Sequence, residues 1–375
     1  MLVAHNEQKE LVQLHRQFSR EELQRLRQQQ QFFCPQCQEP LQLKIGQIRI
    51  PHFSHFQQSD CEALFSERES QTHLLGKQHL YEFFERLALS PQLEPYLPQI
   101  KQRPDLLIEY VNRQFAIEFQ CSNLQREIFL ERTLGYIRAK ITPIWILHTP
   151  QRKKNGLGIQ KITLNHTIAQ YMMQNNGQRY LITYDVASKT FYYYSNLLHV
   201  HKTQYLASIN CIPLAHQRFP LLIPTKISRT KFEFLFTKLL YFRESYLPSR
   251  LLLSKRGVKD PFLRAIYELK LTTTNLPIFL GIPVKNTNAF DDYCIEWQVQ
   301  LFYFLKCHAL TPQSMNTNAI DYFLQWAKLK ATVERNEEVA YYLKLLKQLN
   351  IQHVHEKIEK KQLIDVLYDE LVAIG

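Results

Sequence analysis

Four side chains near the start of the chain have the residue types and the spacing of a zinc site. They are Cys34, Cys37, His52 and His55. A Cys-x-x-Cys turn points two thiolates at one ion, and two imidazoles complete the tetrahedral shell that Zn²⁺ prefers. We expect residues 39–50 to form two short strands that turn at Gly46 and bring the two pairs together. The predicted role of the zinc is structural, because a closed shell leaves no position for water. A segment this small also buries too little apolar surface to fold without a stabilising metal ion.

The choice among these ligands stays open at the level of the sequence. Cys61 follows closely and could replace one histidine as the fourth ligand. A pair of thiols without a metal, beside solvent-exposed histidines, is the simpler alternative. A thioredoxin-like redox role is disfavoured, because the cysteine pair does not open a helix after a strand.

A second group of polar side chains is predicted for residues 103–122. We expect a β-hairpin with the two-residue turn Asn112-Arg113, which places Asp105 opposite Gln120 and Leu107 opposite Glu118. Directly opposed residues point to the same face of a hairpin, so one face carries two carboxylates and an amide. The other face is apolar and carries Leu106, Ile108, Tyr110, Phe115, Ile117 and Phe119. The polar face suits a hard cation such as Mg²⁺, which activates water and stabilises charge on a phosphate; a solvated face without a metal is the alternative.

The segment before this hairpin carries three further candidate residues. Residues 66–89 predict a helix, in which Glu69, His73 and Lys77 recur at every fourth position and so share one face. Above the hairpin they would serve as an extra metal ligand, a proton shuttle and a phosphate contact. An exposed stripe of i, i+4 pairs is the alternative interpretation.

The order of predicted elements indicates a mixed α/β (α+β) protein with three parts. After residue 62 the order is α-β-β-β-α-β, in which Ser122 is the expected N-cap of the second helix and residues 141–148 form the last strand. Residues 178–206 predict an aromatic hairpin, and from about residue 225 the pattern becomes helical. The predicted parts are an N-terminal arm with a zinc-ribbon-like module over 1–61, an α/β core over 62–210 and a mainly helical domain over 211–375.

Composition and charge favour a polyanionic partner. The 375 residues carry 46 Lys and Arg against 34 Asp and Glu, a net charge of +12, which favours nucleic acid first and an anionic membrane second. Only 9 glycines argue against glycine-loop nucleotide binding. An odd count of 7 cysteines does not indicate a disulfide framework. We expect a cytoplasmic protein without a secretion signal or a membrane span.

Three segments resemble the competence protein CoiA family. They are FFCPQCQEPLQLKIGQIRIPHFSH, SERESQTHLLGK and RPDLLIEY followed by FAIEFQCS. The resemblance is strong over residues 30–150, and it implies a central domain of the PD-(D/E)XK nuclease type, also called restriction-endonuclease-like. By position, Asp105 is then the motif aspartate, Glu118 the second acidic ligand and Glu69 the acidic residue of the first helix. Gln120 stands where that superfamily usually has lysine, and Lys77 is the candidate to supply the missing charge.

The resemblance implies a role in natural transformation, in handling DNA on its way to recombination. The expected activity is that of an endodeoxyribonuclease using Mg²⁺ or Mn²⁺ at Asp105 and Glu118. Single-stranded DNA or recombination intermediates would be bound by Lys and Arg, and Arg132 and Tyr136 would contact the DNA backbone or support the site. The competing hypothesis is a non-catalytic accessory whose C-terminal helices dock a recombinase or loading factor. Zinc-dependent RNA or transcription-factor-like binding is disfavoured, because no recognition helix is evident.

Overall fold

A computed structural model describes most of the chain. The described residues are 1–14, 18–56, 69–149, 157–175, 178–222, 227–272, 274–283, 289–290 and 292–371. Among their helices, none combines the length and the apolarity that crossing a bilayer requires.

The N-terminal part is an antiparallel sheet with one helix. Its elements are β1 (Val3–His5), β2 (Leu11–Gln13), α1 (Arg20–Gln29), β3 (Phe32–Phe33), β4 (Pro40–Lys44) and β5 (His52–His55). The strand order is β2-β1-β3-β4-β5. Helix α1 begins after Ser19, whose hydroxyl accepts from the Glu22 N–H while the Glu22 carboxylate accepts from the Ser19 N–H, a capping box. The predicted hairpin forms, but its second strand begins at His52 rather than directly after Gly46.

The central part is built on a larger mixed sheet. Its elements are α2 (Gln71–Arg86), β6 (Gln92–Leu93), β7 (Leu106–Tyr110), β8 (Arg113–Gln120), α3 (Arg126–Arg138), β9 (Ile141–His148), β10 (Gly158–Thr163), α4 (His166–Ala169), β11 (Met173–Asn175), β12 (Gln178–Asp185), β13 (Thr190–His201) and β14 (Gln204–Pro213). The strand order is β10-β14-β13-β12-β9-β8-β7-β6, with β11 paired to β12. Strand β9 is parallel to β8 and to β12, and the other pairs are antiparallel. The α-β-β-β-α-β order and the aromatic hairpin, β12 with β13, are confirmed.

Helices α2 and α3 cover opposite faces of this sheet. Leu80 of α2 packs with Leu106, Ile117 and other side chains of the predicted apolar hairpin face. Tyr136 of α3 packs with Leu107 on the other face. The same core that holds α2 also contains residues of the N-terminal sheet, Leu2 and Phe53 among them. The N-terminal sheet and α2 are therefore joined through one hydrophobic core.

A glycine allows α2 to approach the hairpin closely. A Cβ at Gly76 would lie 2.0 Å from the ring of Phe119, a distance that no carbon pair tolerates. Because position 76 has no side chain, the Phe119 ring fills that space. The neighbouring turns of α2 are thereby held directly above β8, where the candidate site lies.

The C-terminal part is helical, as the sequence predicts. Its helices are α5 (Arg229–Leu253), α6 (Pro261–Glu268), α7 (Cys294–Cys307), α8 (Thr317–Trp326), α9 (Val333–Gln348) and α10 (Lys360–Leu371). They share one hydrophobic core, to which Ile159 and Leu206 of the central sheet also contribute. This packing joins the helical part to the sheet edge formed by β10 and β14.

Candidate active site

The hairpin of β7 and β8 turns one residue earlier than the sequence predicts. Tyr110 pairs with Arg113, so Val111 and Asn112 form the turn, with φ values of 49° and 56°. Positive φ at both central residues is typical of a type I′ turn, which Asn tolerates and a β-branched residue such as Val rarely adopts. The predicted turn Asn112-Arg113 was therefore wrong.

The pairing shifts by two positions, and the faces are preserved. Leu107 lies opposite Ala116 rather than Glu118, and continuing the register by one pair beyond β7 places Asp105 opposite Glu118. Asp105 lies before β7, and its carboxylate departs from the strand alternation by bonding with His73 of α2. An even slip leaves each residue within the strands on its predicted face, because side chains alternate with a period of two. The apolar face predicted from the sequence is accordingly the one buried against α2.

Asp105 lies just before β7 and faces α2. Its Oδ2 accepts from the Phe119 N–H at 2.8 Å and lies 3.2 Å from His73 Nε2, while Oδ1 lies 3.8 Å from Lys77 Nζ. Burial opposes ionisation of this carboxyl, but His73, Lys77 and the Phe119 N–H outweigh it and lower its pKa to about 2. Asp105 is therefore ionised and fixed in orientation at neutral pH.

The three residues predicted to share a helical face do meet at Asp105, although Glu69 is not in the helix. Helix α2 begins at Gln71, and its N-cap Ser70 accepts from the His73 N–H. Glu69 precedes the cap, and its Oε1 lies 2.5 Å from Lys77 Nζ and 3.8 Å from His73 Nδ1. Glu69 Oε2 accepts from the Met1 amino group at 2.5 Å.

One set of side chains in this region has metal-binding geometry. Glu69, His73 and Asp105 each offer a ligand atom, and these atoms lie within 4.8 Å of one another. Two carboxylate oxygens and one imidazole nitrogen suit Mn²⁺ well and Mg²⁺ less well, because Mg²⁺ prefers oxygen alone. The donor set thus fits a divalent cation held between the end of Asp105 and the first turn of α2.

Lys77 is enclosed by carboxylates and does not reach the surface. Its side chain is 0% exposed and donates to Glu69 and to Glu94. Burial disfavours the ammonium, yet the three carboxylates of Glu69, Glu94 and Asp105 raise its pKa above the ordinary value. The charge of Lys77 therefore balances the acidic cluster, and its contact with a phosphate stays a prediction.

Glu94 is a site residue that sequence reasoning missed. It follows β6, is 2% exposed, and accepts from the Leu2 N–H with both carboxylate oxygens, at 3.1 and 3.0 Å. The N-terminal strand thus holds one of the two carboxylates that clamp Lys77. A single glutamate in an irregular segment carries no periodic signal, so only the tertiary fold reveals it.

Glu118 faces α3 and has other partners. Its carboxylate accepts from Arg132 Nη2 and from the Tyr136 hydroxyl, which lie one turn apart on α3. Arg132 Nη2 also donates to the Arg103 carbonyl at 3.3 Å. Burial lowers the pKa of Arg132, but the Glu118 carboxylate more than compensates and raises it above the ordinary value. Glu118 is not part of the group formed by Glu69, His73 and Asp105. The structure therefore does not bring Glu118 together with Asp105 in that group, as the predicted pair requires.

Gln120 lies at the end of β8 and turns toward the next loop. Its Nε2 donates to the Ser122 carbonyl at 2.9 Å and to the Ser122 hydroxyl at 3.2 Å. Ser122 is not the N-cap of α3 as expected, since the helix begins after Gln125 without a side-chain cap. Gln120 therefore supports the loop that leads into α3.

A cleft of about 340 Å³ connects these groups. Its lining includes Asp105 and Glu118, with Glu69 and His73 on the α2 side. Lys101 and Arg103 add positive charge to the wall, and Gln36 reaches it from the N-terminal sheet. The cleft can thus offer carboxylates to a cation and basic side chains to a phosphate.

The predicted zinc ligands are brought together in part. Cys34, Cys37 and His55 have ligand atoms within 4.8 Å of one another, and Cys37 Sγ lies 3.4 Å from His55 Nε2. The Gln36 N–H donates to Cys34 Sγ at 3.4 Å, and a turn closes where Gln38 N donates to the Cys34 carbonyl. Two sulfurs and one nitrogen fit three positions of a tetrahedral Zn²⁺ shell.

His52 does not join this group. Residues three apart on a strand point to opposite faces, so His52 and His55 of β5 diverge. The His52 ring instead bonds through Nδ1 with the Ile50 carbonyl at 2.9 Å and is buried. Cys61, the alternative fourth ligand, lies outside the described residues.

Comparison with known proteins adds a family to this geometry. Residues 69–227 match the model of the competence protein CoiA nuclease-like domain, and residues 15–64 match that of the CoiA N-terminal domain. The chain is 28% identical to the competence protein CoiA of Bacillus subtilis (strain 168) over 276 residues, which is 73% of this chain and 72% of the relative. No solved structure matches the chain.

Proposed function

Because the chain belongs to the competence protein CoiA family, we propose that it cleaves DNA during natural transformation as a nuclease that depends on a divalent metal ion. The observation that carries this proposal is the approach of the ligand atoms of Glu69, His73 and Asp105 to within 4.8 Å of one another, in a cleft whose lining also includes Lys101 and Arg103. The nuclease-like description of the matched domain is consistent with it.

In the proposed mechanism Glu69, His73 and Asp105 hold Mn²⁺ or Mg²⁺. A bound cation would activate water and stabilise charge on the scissile phosphate. The Phe119 N–H fixes the orientation of Asp105, and the buried Lys77 keeps the neighbouring carboxylates ionised. Lys77 thus provides, from within α2, a positive charge that Gln120 cannot provide from β8. Lys101 and Arg103 would hold the DNA backbone, so binding should weaken as salt rises.

A structural Zn²⁺ at Cys34, Cys37 and His55 is the second part of the proposal. Cys61 is the candidate for the fourth position. Gln36 lies between the two cysteines and lines the cleft. Zinc bound by the Cys34–Cys37 turn would therefore fix one wall of the cleft. The zinc would act through the shape of the cleft rather than through the reaction.

A nuclease assay on the zinc-loaded protein tests the proposal. Circular single-stranded, supercoiled and linear duplex DNA would be offered with Mn²⁺ or Mg²⁺ at low salt. The variants are Asp105→Asn and Glu69→Gln, and Glu127→Gln, an exposed acid on α3, is the control. Cleavage that needs the metal and both site carboxylates, and survives Glu127→Gln, supports the enzyme. Cleavage that is equal in all variants would reveal a contaminant and count against the site.

A non-catalytic recombination accessory is the second candidate function. It is favoured by Gln120 at the usual lysine position and by the engagement of Glu118 with Arg132 and Tyr136. The cleft would then bind single-stranded DNA or recombination intermediates, and the C-terminal helices would dock a recombinase or loading factor. DNA binding without cleavage, unchanged by metal and by Asp105→Asn, is the result that would favour this function.

A further inference from the structure

The end of α5 exposes three consecutive leucines. Leu251, Leu252 and Leu253 are 49%, 85% and 74% exposed. Earlier turns of the same helix bury Leu239 and Leu247 in the C-terminal core, as an amphipathic helix does. The helix therefore buries leucines in its earlier turns and exposes them to solvent in its last turn.

The directions of these leucines exclude a simple helix groove as their partner. Successive residues of an α-helix point about 100° apart, because 3.6 residues complete a turn. The three leucines therefore surround the helix end instead of forming one stripe. A protein groove recognises apolar residues at i, i+3, i+4 and i+7 and would cover one or two of them. A lipid surface has no preferred side and can take all three.

Basic residues follow this apolar tip in the sequence. Residues 250–270 contain six Lys and Arg against two acidic residues. Glu296 of α7 bonds with Arg250 Nε at 2.7 Å. Asp260 is buried, bonds with Arg250 Nη2 at 2.8 Å and caps α6. Its charge is thus used internally, while Lys255, Arg256 and Lys259 remain exposed. An exposed apolar tip followed by exposed basic residues is complementary to an anionic lipid surface, where acyl chains lie beneath negative headgroups.

Nucleic acid accounts for only half of this pattern. Single-stranded DNA would attract the basic residues, but its bases stack on aromatic rings and guanidinium groups rather than on leucine side chains. We propose that residues 250–259 form a contact tip that places the protein on anionic membrane surfaces. The tip would lie in the headgroup region without crossing the bilayer, and its action is independent of cleavage in the cleft.

Vesicle co-sedimentation of the full-length protein tests the tip. The vesicles contain phosphatidylcholine alone or mixed with phosphatidylglycerol. The tip variants are Leu252→Ser with Leu253→Ser, and Lys255→Gln with Arg256→Gln. The control is Leu130→Ser with Leu134→Ser, two exposed leucines of α3. We expect the wild-type protein to bind the anionic vesicles only. The affinity for these vesicles should fall roughly tenfold or more for the leucine pair and roughly fivefold for each basic residue removed. The control should bind as the wild-type protein does.

Insertion of the tip is measured separately with Leu252→Trp. Trp145 and Trp297 are buried and Trp326 is half-buried, so the blue shift on adding anionic vesicles that Leu252→Trp shows beyond that of the wild-type protein would report the new residue entering the headgroup region. The proposal is overturned if the wild-type protein ignores the anionic vesicles, or if the leucine pair can be changed without effect. It is also overturned if Lys255→Gln with Arg256→Gln weakens binding to a DNA oligonucleotide and leaves vesicle binding intact.

Discussion

The two carboxylates at the β7–β8 hairpin, one on each face, have different bonding partners. On the α2 face, Asp105 meets an N–H, an imidazole and a second carboxylate, and the nearest cation is a lysine engaged mainly by other acids. On the α3 face, Glu118 is bound directly by Arg132 and Tyr136. The difference shows that position on a strand does not make a carboxylate a metal ligand. Its neighbours decide whether lone pairs remain for an ion.

The largest effect is expected from removing the buried cation on the α2 face. Lys77→Met leaves Glu69, Glu94 and Asp105 close together without their common partner. Leaving buried charges uncompensated typically costs about 3–5 kcal/mol, and we expect a loss of that size in the free energy of unfolding. Urea denaturation measures it, with Lys231→Met on the exposed side of α5 as the control.

A second change distinguishes charge balance from simple packing. Adding Glu94→Gln to Lys77→Met removes one of the unbalanced charges, so the double variant should regain part of the lost stability. If Lys77→Met costs less than about 1 kcal/mol, the acidic cluster is neutralised by other groups, and the described role of Lys77 is wrong.

The next largest effect concerns the affinity for metal. Asp105→Asn keeps the shape of the side chain but removes the charge that would hold the proposed divalent cation. We expect Mn²⁺ to bind roughly a hundredfold more weakly, at least the loss caused by removing an outer-shell partner in a metal site. Calorimetric titration with Mn²⁺ measures it. Unchanged affinity would place the ion elsewhere and remove the basis of the proposed site.

The proposed zinc site repeats the comparison on a smaller scale, because His52 and His55 lie on opposite faces of β5. We expect His55→Ala to weaken zinc binding by roughly tenfold or more, whereas His52→Ala should leave it unchanged. The zinc content after dialysis against a chelator, measured by a colorimetric thiol-and-zinc assay, separates the two variants. Equal loss in both would mean that β5 rearranges when zinc binds.

These cases also show how far the sequence predicts the molecule. Alternating polar and apolar residues identified both faces of the hairpin, since a period of two survives a slip of two positions. The turn was misplaced because Val111 adopts a positive φ that its side chain disfavours. His73 and Lys77 were found because helical periodicity places them on one face. Strand alternation assigned Asp105 to the face of Glu118, whereas its carboxylate bonds with His73 of α2. Glu94 and the N–H of Leu2 were not found, since residues 92 apart meet only through the common core.

The smallest effect on the affinity of the proposed metal site is expected from a change on the α3 face. This change is also the most direct test of the comparison between the two faces. Glu118→Gln removes a carboxylate that already binds Arg132 and Tyr136. We expect the Mn²⁺ affinity to change less than roughly threefold, below the tenfold lower end for removing an outer-shell partner of a metal site, because the Glu118 carboxylate is bound by Arg132 and Tyr136 and is not offered to the ion.

The stability of the protein should nevertheless fall, because Arg132 is buried and loses a charged partner. Stability and metal affinity would then respond separately on this face, whereas Asp105→Asn acts directly on the affinity. If Glu118→Gln weakens Mn²⁺ as strongly as Asp105→Asn does, both carboxylates hold the same ion. Arg132 must then release Glu118 when the metal binds, and the two faces form one site.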